Sequence, residues 1–107
     1  MLKTSIPPGE IIFLKANSNY TEFHLLDGQT KLSPRTLKHH QDNLLMKHFV
    51  RVSNSFLLNP SYIDSISRRR AASVVRLKDG TEVTVSRRRQ NGVLDILKNT
   101  GFQARHY

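Results

Sequence analysis

The sequence predicts a mainly β domain with short helices, a β-rich α+β fold of antiparallel strands. Two Asp-Gly pairs, Asp27-Gly28 and Asp79-Gly80, stand between short apolar stretches, where a tight hairpin needs a residue that tolerates positive φ. The apolar stretches themselves are short and broken by Gly, Pro, Asn and Ser. No alternation of strand and long helix appears, so the crossover rhythm of a parallel sheet is missing. At 107 residues the chain can bury one core, and a single domain over 1–107 is expected.

Taken in order, Pro7-Pro8-Gly9 is a turn signal, and Ile11-Ile12-Phe13-Leu14 after it suits a largely buried strand. Asn17-Ser18-Asn19 breaks that strand. Residues 20–26 carry Tyr20, Phe23, Leu25 and Leu26 up to the first Asp-Gly, and 29–32 read as the return strand. Ser33-Pro34 then reads as a helix start, since the serine oxygen can accept from free N–H groups and proline has none to lose. Leu37, Leu44 and Leu45 recur at helical spacing with polar residues between them, which predicts a one-sided helix with Leu37 and Leu44 inward.

Residues 49–52 read as a short buried strand. Asn59-Pro60 repeats the cap-then-proline signal and predicts one helical turn, with a strand starting from Ile63 and Ile66 and a turn over 68–72. Strands over 73–77 and 82–85 flank Lys78-Asp79-Gly80. Ser86 is expected to cap a last helix whose apolar stripe is Val93, Leu94 and Leu97, weakened by Gly92. The sum is about six or seven strands and two or three short helices, without linkers, repeats or low-complexity tracts.

Charge narrows the function. Against 8 acidic residues stand 17 Lys and Arg, a net charge of +9 that favours a polyanionic partner. The absence of cysteine removes disulfide scaffolds, thiol catalysis and cysteine-based zinc sites, and fits a reducing, cytoplasmic setting. Residues 1–10 hold no apolar run, so neither a signal peptide nor a membrane span is expected. No cofactor is called for, and no metal site: His39 and His40 are adjacent and cannot share a helix face, while His24, His48 and His106 lack ligand spacing, so surface histidines are expected. With no Gly-rich phosphate loop, no paired carboxylates in apolar context and no metal-binding motif, the chain does not read as an enzyme.

Three stretches in order resemble the LytTR family of bacterial transcription-regulator output domains: residues 11–20, then Phe49-Val50-Arg51-Val52-Ser53-Asn54-Ser55-Phe56-Leu57-Leu58-Asn59 with Tyr62-Ile63, then Leu77-Lys78-Asp79-Gly80 through Val85-Ser86-Arg87-Arg88. The resemblance covers roughly residues 6 to 100, about the span of one domain. It implies an elongated arrangement of short antiparallel sheets in which loops, not a recognition helix, enter two successive major grooves on paired promoter repeats. Double-stranded DNA is then the partner, with a second copy of the chain on the paired repeat. Family members usually carry a receiver or sensor domain ahead of this module. This sequence contains neither, and an excised domain and a stand-alone regulator both stay open.

Under that resemblance Arg87 is the first candidate for a base contact, because a guanidinium at a strand-to-helix junction can meet guanine O6 and N7 together. Arg88 and Arg89 are phosphate candidates beside a helix N-terminus. Asn54 falls at a DNA-contact position of the family, although Ser53, Asn54 and Ser55 could equally cap the local backbone. Arg51 could reach a phosphate or brace that loop through a carbonyl. Asn17, Ser18, Asn19 and Tyr20 form the loop that the resemblance sends into the other groove, with Asn19 able to read adenine and Tyr20 able to donate to phosphate; an ordinary hairpin tip is the alternative. Arg68, Arg69 and Arg70 would be a phosphate clamp or a solvated turn. The rival function is an RNA- or single-strand-binding module, which needs exposed aromatics; Phe13, Phe23, Phe49 and Phe56 fall where a core is expected, leaving Tyr20, Tyr62 and Tyr107. A protein-interaction domain is a third.

Overall fold

The structure, a computed structural model, describes residues 6–70 and 72–99. After a 3₁₀ turn over Pro8–Glu10 come β1 (Ile11–Asn17), β2 (Tyr20–Leu25) and β3 (Thr30–Ser33), then α1 (Leu37–Gln41) and a 3₁₀ turn, Leu44–Met46. β4 (Val50–Arg51) and β5 (Phe56–Leu58) follow, with a 3₁₀ turn over Pro60–Tyr62. β6 (Ile63–Arg69), β7 (Ala72–Leu77) and β8 (Glu82–Val85) lead into a 3₁₀ turn, Arg87–Arg89, continuous with α2 (Gln90–Asn99). Two antiparallel sheets result, one ordered β3-β2-β1-β5-β4 and the other β6-β7-β8. The molecule is elongated, 40 × 24 × 23 Å.

The unbroken apolar run at the start of β1 has a structural cause. β1 is the central strand of its sheet and is covered on both faces, so neither face needs a polar residue. Ile11 and Leu14 face a cluster with Phe23, Leu25, Leu37, Met46, Phe49 and Leu57, under α1. Ile12 and Phe13 face the larger cluster, where Val50, Val52 and Leu58 meet Ile63, Ile66, Val75, Val83 and Val85 of the second sheet and Val93 and Leu97 of α2. Two consecutive residues share a side because the register shifts between Ile11 and Phe13, a bulge that slips one residue.

Asn59 joins the sheets and is buried. Its Nδ2 donates to the carbonyls of Ile11 (2.9 Å) and Pro8 (3.2 Å), and its Oδ1 accepts from Ser61 N at 3.0 Å, capping the expected turn. The side chain's polar groups are therefore spent on the backbone, as a buried amide requires. Tyr62 hydroxyl donates to the Gly9 carbonyl beside it.

Several expectations are corrected. Eight strands are present among the described residues, because β5 was hidden in the continuous apolar stretch around it. The first helix starts at Leu37, not after Ser33: Ser33 stays in β3 opposite Thr21, and Thr36 takes the cap by accepting from His39 N at 3.2 Å. It also ends early. Asn43 caps a new turn by accepting from Leu45 N at 2.9 Å, which turns Leu44 out to 82% exposure and puts Met46 inward instead. The β6–β7 hairpin is tighter than expected, with Arg68 and Arg69 still paired in β6 and Arg70 in the left-handed region at φ 57°.

Candidate nucleic-acid interface

Four polar segments follow one another along one rim of the molecule. The hairpin tip between β1 and β2 is joined to the loop before β5 by Ala16 N donating to Ser55 O at 2.8 Å. That loop is joined to the end of β8 by Ser86 N donating to Val52 O at 2.9 Å. Val85 at the end of β8 pairs with Ser73, which pairs with Arg68, so the β6–β7 tip closes the row.

At the first tip Asn17 pairs with Tyr20 around Ser18 and Asn19, and Ser18 sits at φ 54°, an uncommon conformation for a residue with a Cβ. Tyr20 is 54% exposed. Asn17 Nδ2 donates to Glu22 Oε2 at 2.8 Å, and the other carboxylate oxygen lies 2.8 Å from His24 Nε2. These two bonds, His24 first and Asn17 second, hold the Glu22 carboxyl below the usual carboxylate range. The His24 ring in turn lies flat on Phe13, centroids 4.2 Å apart and planes 11° apart.

The second segment is built around Arg51. Its Nε donates to Ser53 O (2.6 Å), Nη2 to Asn54 O (2.7 Å) and Nη1 to Gln41 Oε1 at the end of α1 (2.6 Å). Burial, with the charge of Arg89 beside it, lowers its pKa from the ordinary guanidinium value. Ser53 Oγ accepts from Ser55 N at 3.2 Å, so Ser53 does the local capping. Asn54 is exposed, and its side-chain amide has no hydrogen bond among the described residues.

At the third segment Arg87 and Arg88 are exposed and Arg89 is half-buried. Ser53, Asn54, Ser55, Ser86, Arg88 and Arg89 line a cleft of about 550 Å³. Sequence reasoning missed this meeting of two loops more than thirty residues apart. It favours Arg88 and Arg89 as its walls; Arg87 lies on the same turn but not in the lining. Ser86 heads the turn through its backbone alone, accepting from Arg89 N at 3.0 Å. Its hydroxyl makes no cap bond, contrary to expectation, and is buried beside the cleft without a partner among the described residues.

At the fourth segment Arg68, Arg69 and Arg70 are all exposed. Arg69 is engaged: its two Nη atoms reach the Glu82 carboxylate at 3.2 and 3.3 Å.

The histidines and aromatics sort differently from expectation in one respect. His40 is buried, not on the surface: its Nε2 lies 2.9 Å from Ser33 Oγ and its ring meets Phe23 edge-on at 4.8 Å. Desolvation first, then the charges of His39 and Arg35, push its pKa down to about 4. His106 and Tyr107 lie outside the described residues. Phe13, Phe23 and Phe49 are buried and Phe56 is packed against the core, so Tyr20 is the one large aromatic above half exposure among the described residues. These residues include no cluster of three or more potential metal ligands and no helix long and apolar enough to cross a membrane.

An elongated pair of antiparallel sheets with an arginine-rich rim of loops defines a basic, loop-presenting binding domain. The family model of the LytTr DNA-binding domain matches residues 3–98. A solved LytTr DNA-binding domain, from a Bacillus cereus protein described as a methyl-accepting/DNA response regulator, superposes with a TM-score of 0.78 at 22% identity. The match covers 90% of this chain and 93% of that one. No curated protein matches this chain. The chain belongs to the LytTR family of DNA-binding domains, a binding family and not a catalytic one, and the expected fold is the one observed.

Proposed function

We propose that this domain reads double-stranded DNA sequence-specifically, as the output module of a bacterial transcription regulator, by placing its rim loops in successive major grooves at promoter repeats. The observation that carries the reading is the rim itself, where four polar segments, seven exposed or half-exposed arginines among them, stand side by side. The molecule's long axis, 40 Å, exceeds the ~34–36 Å repeat of B-DNA, so a domain of this length can touch one groove and the next on the same face.

Roles divide by chemistry. Asn54 and Arg87, exposed at the centre of the rim, are the base readers there, and Asn19 and Tyr20 belong to the outer loop. Arg88 and Arg89 hold phosphates at the cleft they help to line. Arg68 and Arg70 add sequence-independent affinity. Arg51 acts from behind the loop, since three of its five N–H groups are already bonded inside the protein. A second copy occupies the paired repeat, and the cytoplasm is the place where such a regulator works.

Selection of bound duplexes from a random pool tests the reading; a motif recurring at a fixed spacing is the expected result, and recovery of unrelated sequences would overturn it. Position 87 then separates base from phosphate contact. Arg87→Ala should cost about 1–3 kcal/mol on the selected site and much less on scrambled DNA. Arg87→Lys should not restore it, because an ammonium lacks the planar fork.

A further inference from the structure

The outer hairpin carries an acceptor where a DNA-facing rim would be expected to avoid one. Glu22 stands on β2 next to the tip, and its carboxylate holds Asn17 on one oxygen and His24 on the other, both at 2.8 Å. His24 lies flat on Phe13, which is buried in the core, so a rigid connection runs from the core through His24 and Glu22 to Asn17 at the tip. No comparable bond holds Asn19, whose side chain has no hydrogen-bond partner among the described residues.

A carboxylate has only acceptors, so the amide atom facing it must be the nitrogen of Asn17. That settles which way the amide is turned. Glu22 takes one of the two Nδ2 hydrogens, and the remaining groups are one N–H and the Oδ1 acceptor. One donor beside one acceptor is the complement of the adenine edge in the major groove, where N7 accepts and the N6 amino group donates. An amide already oriented before binding loses less freedom on binding than one on a free side chain.

We propose that Asn17, rather than Asn19, is the residue of the outer hairpin that reads an adenine, and that Glu22 is the positioning residue that sets its amide for the task. The inference rests on the proposed entry of this hairpin into DNA. Glu22 also lies close to the phosphates in that complex. Its charge therefore costs affinity on every sequence, while its bond to Asn17 adds preference at one base.

The test is selection from a random duplex pool with the wild type, Asn17→Ala, Glu22→Ala and Glu22→Gln, followed by affinities on the selected site and on single-base changes. Asn17→Ala is expected to lose roughly tenfold or more in preference for adenine at one outer position of the motif, leaving the inner positions intact. Glu22→Ala should weaken the same position alone, while binding scrambled DNA as well as or better than the wild type. Glu22→Gln should keep the preference, because its amide oxygen still accepts from Asn17 and its nitrogen can face His24. A merely structural Glu22 would instead show all positions weakened together with a lowered melting temperature in both variants, and that would overturn the positioning role. Unchanged preference in Asn17→Ala, with a specific motif still selected by the wild type, would overturn the reader assignment while leaving the DNA reading standing. Absence of any motif in the wild-type selection would overturn both.

Discussion

The sharpest distinction at the scale of single residues is between the exposed arginines proposed for DNA and Arg51, whose guanidinium is bonded into the protein. Arg51 donates to two carbonyls of the Ser53–Asn54 loop and to Gln41 on α1, so removing it leaves three acceptors without a partner. Arg51→Ala is expected to lower stability by about 1–3 kcal/mol, the range for lost bonds to a charged donor. It should also blur base preference near Asn54, because the loop loses its brace. A phosphate contact would behave otherwise, with unchanged urea stability and a uniform loss on all sequences, and that pair of results would sink the brace. His40 makes a second residue-scale prediction. Its pKa falls from 6.5 to about 4 on folding, so the unfolded chain takes up the proton first. The stabilisation is whole above about pH 6.5 and drains away as pH falls toward 4, by on the order of 3 kcal/mol. Urea midpoints measured at pH 7.5, 6 and 4.5 should decline over that window, and the decline should be smaller in His40→Gln, which can still bond Ser33 but does not titrate there. Equal slopes in the two proteins would remove His40 as the cause.

Elements whose shape is decided by a few neighbouring residues were legible in the sequence; those decided by distant partners were not. Both Asp-Gly turns fold as read, with Gly28 at φ 90° and Gly80 at φ 95°, and Asp27 and Asp79 each accept from the N–H two residues on at 2.9 Å. The Asn59-Pro60 turn follows from the same local chemistry. The first helix failed because two caps competed for the chain. Periodicity alone cannot tell that Thr36 rather than Ser33 starts it, or that Asn43 stops it before Leu44. Contacts such as Arg51 to Gln41, or the cleft formed by the Ser53–Ser55 loop and the Ser86–Arg89 turn, join residues ten or more positions apart and leave no mark in spacing. The β6–β7 hairpin shows what structure adds to a charge run. Three adjacent arginines read alike, yet Arg69 is held by Glu82 while Arg68 and Arg70, its exposed chain neighbours, are not. Arg68→Ala with Arg70→Ala is therefore expected to weaken binding about equally on selected and scrambled duplexes, with Arg69→Ala alone having the smaller effect. Loss of base preference in the double variant would show that this tip reads bases after all.

For the molecule as a whole, elongation and charge act together. The radius of gyration, 13.3 Å, is close to the ~13 Å of a compact chain this long, so the 40 Å long axis comes without a loosened core. A net charge of +9 draws the domain to any nucleic acid, but only cations at the contact release counterions and set the salt dependence. Arg68, Arg70, Arg87, Arg88 and Arg89 are the rim arginines whose side chains are not committed to an internal bond among the described residues, and Arg87 is assigned to a base. Four phosphate contacts, at about 0.9 per contact, give a slope of log affinity against log salt near −3.6, which is roughly a hundredfold loss between 50 and 200 mM. Removing Arg88 or Arg89 should make the slope shallower by about one each, and removing Arg68 and Arg70 together by about two. Arg51→Ala should weaken binding without changing the slope, because its guanidinium is turned inward. Fluorescence anisotropy on one duplex across that salt range reads all of these at once. A flat response in the wild type would rule out a phosphate-bound rim, and a shallower slope in Arg51→Ala would return Arg51 to the DNA surface.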